Sequence, residues 1–285
     1  MGKVNLNMPI LQDDELIDSF VERFAYMNGL DERTICDLIR APSLTTKTIL
    51  ESIKEYPEFF NIKKSPLELF INNTVYIFLR FFTNEDELIK HKEAVSLKDS
   101  GFMQDTFWYH PRNFVCPICA KEDIKKFGYP IQRAYQNFDH INVCVKHKCS
   151  LIELFGCRFA SDDGIKIILN ATPEYPEDKD SYNFAKFMYK LSKFKCDYAN
   201  GDNTHKVVKP FVNLLNYEDY LKEKGDNSDF YNIASRRYQF WGLLPKSCAN
   251  VLFKMYGDNF KLFEERYNAL KDDNNLSENN LAEEE

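Results

Sequence analysis

Four residues are spaced to share one piece of chemistry. Cys116-Pro117-Ile118-Cys119 is followed, after twenty-four residues, by Cys144-Val145-Lys146-His147. A Cys-x-x-Cys pair on a tight turn brings two thiolates within one bond of a common centre, and a Cys-x-x-His pair adds a third thiolate and an imidazole. Three sulfurs and a nitrogen in a tetrahedron suit Zn²⁺ in a structural site. Pro117 stiffens the first knuckle, while Lys146 and Lys148 favour exposure of the second. The competing explanation is that the cysteines pack as small apolar side chains. Two correctly spaced pairs weigh against it, so Cys116, Cys119, Cys144 and His147 are the expected Zn²⁺ ligands. Cys149 and Cys157 have no partner at that spacing and read as packing thiols, with Cys149 as the alternative ligand.

The same stretch carries, in order, Arg112, Cys116-Pro117-x-Cys119, Asp123, Gly128, Arg133, Tyr135-Gln136, Cys144-x-x-His147 and Leu151. This series resembles the zinc-finger region of the TniQ/TnsD family, the target-selection proteins of transposons that move with an AAA+ regulator. Pro9, Asp14-Glu15-Leu16, Ser19, Arg23 and Asn28-Gly29 are similar to the opening helix of that family, and Asn73-Thr74 to Phe81 with Glu85 resembles its TnsD-type members. A weaker likeness continues through Tyr217, Tyr220-Leu221 and Gly225, then Phe253, Tyr256-Gly257 and Phe260. The resemblance implies a non-catalytic adaptor that bridges a target-recognising component and an AAA+ ATPase regulator of transposition. The target is either DNA read directly or a CRISPR RNA-guided effector, and a homodimer is an open alternative. Direct readers of the family tend to carry further DNA-binding sequence, which favours an adaptor that docks on a protein or ribonucleoprotein and touches DNA secondarily.

Composition sets the frame for these ligands. A chain of 285 residues with 44% hydrophobic and 15% aromatic content can bury a sizeable core. Its apolar runs are too short to span a bilayer, and Met1-Gly2-Lys3 leads straight into polar sequence, so a cytoplasmic protein is expected. Net charge of −7 argues against nonspecific coating of nucleic acid by a global basic field. The distribution is uneven. Arg112 to Lys148 holds seven basic residues and three acids, whereas Phe260 to Glu285 holds three basic residues and eight acids. Arg112, Lys125, Lys126, Arg133, Lys146 and Lys148 are therefore the candidate contacts of the zinc module with phosphate or an acidic partner, and Arg236 with Arg237 forms a second basic edge.

The elements that must position these groups are mostly helical. Leu16, Ile17, Phe20, Val21, Phe24 and Ala25 predict an amphipathic helix over 13–29, with Asp13, Asp14 and Glu15 at its positive end and Asn28-Gly29 as its stop. A second helix over 31–40 would complete either a helix-turn-helix or an ordinary helical hairpin. Further helices are expected at 44–55, at 66–82 behind a Ser65 cap, and from Asn84 to Leu97. Short strands are expected near 114–116, 141–144 and 151–155, and a loop and domain boundary over 160–180, where Asp, Gly and Pro gather. Helices at 181–195, 210–224, 229–241, 246–256 and 258–271 follow. The expected fold is mainly α, with helix-turn-helix-like units flanking a small zinc ribbon or knuckle. Its domains are 1–100, the zinc module 101–160 and a helical domain 175–271, with an acidic, disordered tail at 272–285.

Catalytic patterns are missing from the sequence. It contains no Gly-x-x-x-x-Gly-Lys-Ser/Thr loop, no His-Glu-x-x-His and no Gly-x-Ser-x-Gly. Asp139-His140-Ile141 imitates half of an HNH nuclease motif whose later Asn and His do not follow. A zinc held by four side chains also leaves no position for a reacting water. The chain is therefore expected to be no enzyme, and the alternative to an adaptor is a stand-alone zinc-dependent, sequence-specific DNA-binding protein.

Overall fold

A computed structural model of the chain describes residues 6–40, 46–56, 60–74, 113–138, 141–154, 161–194, 249–250 and 252–269. The described chain is mainly helical with very little strand, as its apolar periodicity demands. Helix α1 spans Ile17–Met27 and buries Ile17, Phe20, Val21 and Phe24 on one face. It ends at Asn28, and the following Gly29 takes φ +60, a left-handed conformation that glycine adopts without strain. Helix α2 (Glu32–Leu38) starts at Asp31, whose side chain accepts from the Thr34 N–H at 2.7 Å. Helix α3 (Thr46–Glu55) packs against α1 and against α4 (Pro66–Asn72), placing Ile49, Leu50, Ile53, Leu69 and Phe70 in a common apolar core.

Two helix boundaries differ from expectation. The first helix begins at Ile17, four residues late, because Glu15 does not serve the helix dipole. Its carboxylate is fully buried and meets Arg23 through two bonds, Nε to Oε1 at 2.6 Å and Nη2 to Oε2 at 2.7 Å. Ser19 Oγ donates to the same carboxylate at 3.3 Å. Burial pushes the Glu15 carboxyl above its usual range, while Arg23 draws it the other way. The preceding backbone is extended. Glu15 bridges Arg133 in antiparallel fashion, the Leu16 N–H donates to Gln132 O at 2.9 Å, and the Ala134 N–H donates to Asp14 O at 2.8 Å.

The helix expected over 66–82 stops at Asn72. It starts as foreseen, with Ser65 and Glu68 forming a reciprocal capping box around Pro66. Asn73 then turns to hold the N-terminal segment. Its Nδ2 donates to Gln12 O at 3.2 Å and Glu15 O at 2.8 Å, and its own carbonyl accepts the Ile17 N–H at 2.7 Å. Residues 75–82 and the helix expected from Asn84 lie outside the described residues.

In the cysteine-bearing region, β1 (Phe114–Val115) pairs antiparallel with β2 (Ile152–Glu153), Val115 facing Ile152. The expected strand over 141–144 reduces to a single bridge between Val143 and Ser150. Helix α5 occupies Pro117–Phe127, directly after Cys116. The stretch expected to be loop over 160–180 instead contains helix α6, Asp162–Asn170. The polar residues that suggested a loop supply its start. Ser161 Oγ accepts from the Gly164 N–H at 3.1 Å, and Asp162 and Asp163 occupy the first turn. Helix α6 packs on α5, and Ile168 joins Val115, Ala120 and Leu154 in one buried cluster.

Contacts divide the described chain into two compact units, one up to Ala185 and the other from Lys186 on. Helix α7 (Lys179–Lys193) lies where expected and contributes to both. In the second unit, Phe187 and Phe194 pack edge-on against Phe260, and Phe194 also meets Phe263 and Tyr267. These last come from the helical stretch 260–269. The helices expected at 210–224 and 229–241, with Arg236 and Arg237, and the tail 272–285 fall outside the described residues. Among the described residues no helix is long and apolar enough to cross a membrane.

Candidate metal centre

Cys116 follows β1 directly and caps α5, and Cys119 stands in the first turn of that helix. The first ligand pair is therefore a helix N-terminus, where the sequence suggested a free knuckle. Pro117 at the first helical position and Gly128 at the far end, with φ +83, were the signals for it. The second pair lies on a turn between Val143 and Ser150 that closes through Lys148 at φ +57. There the Lys148 N–H donates to Cys144 O, and the Cys144 N–H to Cys149 O, both at 2.8 Å.

The four predicted ligand atoms lie within 4.8 Å of one another. His147 Nδ1 is 3.4, 3.3 and 3.8 Å from the sulfurs of Cys116, Cys119 and Cys144, and the Cys119 and Cys144 sulfurs are 3.8 Å apart. A tetrahedral zinc with ordinary bond lengths requires S–S edges of about 3.8 Å and S–N edges of about 3.5 Å. The donor set therefore fits a metal ion of that size and preference. Each pair also satisfies its first sulfur in the same way, the Cys119 N–H donating to Cys116 Sγ at 3.4 Å and the His147 N–H to Cys144 Sγ at 3.5 Å.

Mutual hydrogen bonding and burial shift the three thiols in different directions. Hydrogen bonds from Cys116 and Cys119 hold the Cys144 thiol far below the usual thiol range. Hydrogen bonding to Cys119 and Cys144 pushes the Cys116 thiol far above it. Cys119 is pushed up to about 12, its bond with Cys116 lowering it while Cys144 and burial raise it. Three sulfurs this close do not all carry charge by themselves, and a dication bound among them would let each ionise.

A second ring of residues holds the ligands. His147 Nε2 faces Glu122 Oε1 at 3.4 Å, and the other Glu122 oxygen pairs with Lys146. Gln136 Oε1 accepts the Cys116 N–H at 3.3 Å while its Nε2 donates to Tyr135 Oη at 3.0 Å. Cys149 is buried with its sulfur 3.4 Å from that of Cys116 and packs with Ile118 and Leu151. It lies outside the set of four mutually close ligand atoms. Cys157, Asp139 and His140 are outside the described residues.

The expected basic contacts divide into distinct settings. Lys125 and Lys126 are exposed in the last turn of α5, Lys126 with its Nζ 4.6 Å from the Phe127 ring centre. They lie one turn beyond Glu122, on the side where Lys146 reaches the helix. Lys148 is exposed, its Nζ 5.3 Å from the Tyr182 ring centre. Arg133 is largely buried and its fork is committed, to Asp123 at 2.6 and 2.9 Å and to Asp14 at 3.6 Å. Arg112 is outside the described residues, like Arg236 and Arg237. Sequence reasoning passed over Glu122, which has no metal-ligand spacing of its own and faces His147. It named Asp123 and Gln136 only as part of the family resemblance, and the structure sets Asp123 on Arg133 and Gln136 on the Cys116 N–H.

Comparison with known families finds a match to TniQ over residues 7–151, just over half of the chain. A search of curated proteins and of solved structures found no match.

Proposed function

The chain belongs to the TniQ family and so to the proteins of transposition, and we propose that it is a non-catalytic adaptor for target-site selection. In this reading it bridges a target-recognising component and an AAA+ ATPase that recruits the transposase. The observation that carries it is the extent of the family match. Residues 7–151 span both the α1–α4 core and the metal module, and the extended segment 14–16 ties the two through its bonds to Gln132, Arg133 and Ala134. Cys116, Cys119, Cys144 and His147 would hold Zn²⁺, whose four side-chain bonds supply folding free energy and leave no open position for hydrolysis.

The target-recognising component is a CRISPR RNA-guided effector or another protein-bearing complex, with DNA touched secondarily. Net charge of −7 supports this order, since phosphate neutralisation supplies most nonspecific affinity for DNA. The exposed Lys125, Lys126, Lys146 and Lys148 favour the second reading, a stand-alone zinc-dependent DNA-binding protein. Titrating the isolated chain with attachment-site and random duplexes at several salt concentrations separates the two. Weak binding that falls steeply with salt and ignores sequence is expected. Tight, sequence-specific binding at physiological salt would overturn the adaptor in favour of the direct reader.

A further inference from the structure

Glu122 stands on α5 three residues after the ligand Cys119, and so lies on the same side of the helix one turn on. One of its oxygens is 3.4 Å from His147 Nε2, while the opposite ring nitrogen, Nδ1, faces the three sulfurs at 3.3 to 3.8 Å. The other oxygen pairs with Lys146, the residue just before His147. A single carboxylate from the helix of the first ligand pair therefore grips two consecutive side chains of the second pair's turn. An imidazole that offers Nδ1 to a metal must carry its proton on Nε2, and an acceptor there fixes both the tautomer and the plane of the ring.

We propose that Glu122 is the positioning residue of the metal centre, which holds His147 in the tautomer and orientation that complete the ligand set. This rests on the zinc reading above. The competing account is that Glu122 forms an ordinary surface ion pair with Lys146, since both side chains are half exposed or more, and such pairs contribute little in water.

The test measures zinc affinity of the full chain by competition with a chromogenic chelator, for wild type and Glu122→Ala. Each is measured with His147 present and in a His147→Cys background, where a thiolate without a tautomer replaces the ring. Loss of the acceptor is expected to weaken zinc binding by about 10–100-fold when His147 is present. In the His147→Cys background it is expected to change little. An equal loss in both backgrounds, or none in either, overturns the proposal, and wild type that takes up no zinc overturns the zinc reading with it. Proton NMR of the cobalt-substituted chain gives a second readout that needs no His147 variant. The exchangeable Nε2–H resonance of His147 is expected in wild type and lost to solvent exchange in Glu122→Ala. Its persistence in the variant would equally overturn the assignment.

Discussion

Cys119 would combine two roles at a single residue, as a ligand of the proposed zinc and as part of the first turn of α5, with Cys116 Sγ accepting its N–H. Replacing its sulfur by oxygen removes a soft ligand without relieving the crowding of the other two thiols. Structural zinc contributes on the order of 10 kcal/mol to a small module, so Cys119→Ser should lose the metal and unfold the region around β1, α5 and β2. Elemental analysis of purified protein checks both halves: about one equivalent of zinc in wild type and almost none in the variant, with less than about half an equivalent in wild type counting against the site. The cluster of Cys116, Cys119, Cys144 and His147 was legible because its spacing is itself the chemistry. Arg133 and Glu15 were not, because a charged residue in a sequence does not declare its partner. Arg133 reads as a phosphate contact until Asp123 and Asp14 are seen around it, and Glu15 reads as a helix-dipole charge until Arg23 is seen two turns away. Removing one member of a buried ion pair such as Glu15–Arg23 typically costs 3–5 kcal/mol, so such residues act on stability first.

At the scale of elements, local signals held where the chain is locally consistent. The capping box of α4 is one, with the Glu68 N–H donating to Ser65 Oγ at 3.2 Å and the Ser65 N–H to Glu68 Oε2 at 2.7 Å. Ser65→Ala should destabilise the first unit by about 1 kcal/mol, read as a shift of its denaturant midpoint at unchanged slope. No shift would mean that the box contributes nothing to the fold. Two elements escaped the sequence for physical reasons. Helix α5 was hidden by its own ligands, because Cys116-Pro117 reads as a metal knuckle and as a helix start at once. Helix α6 has only nine residues and its polar first turn imitates a loop, so its identity depends on Ile168 entering a core built by Val115, Ala120 and Leu154. Conversely, α4 ends early because the Asn73 side chain bonds the N-terminal segment, a tertiary demand that overrides an apolar run.

Across the whole molecule, the residues that carry the family likeness become internal ties. Ser19 Oγ accepts the Gln132 N–H at 3.0 Å, Arg133 reaches both Asp123 and Asp14, and Glu15 bridges Arg133 along the backbone. These links make the helical core and the metal module one unit, over the span that the family match covers. This joined unit is the platform on which the proposed adaptor would dock its partners. The measurement that tests this most directly is capture of the zinc-loaded chain on an immobilised AAA+ ATPase of its transposition system, at physiological salt and in each nucleotide state. The account predicts a stable complex that survives nuclease treatment. Failure to bind the active ATPase in every nucleotide state would contradict it.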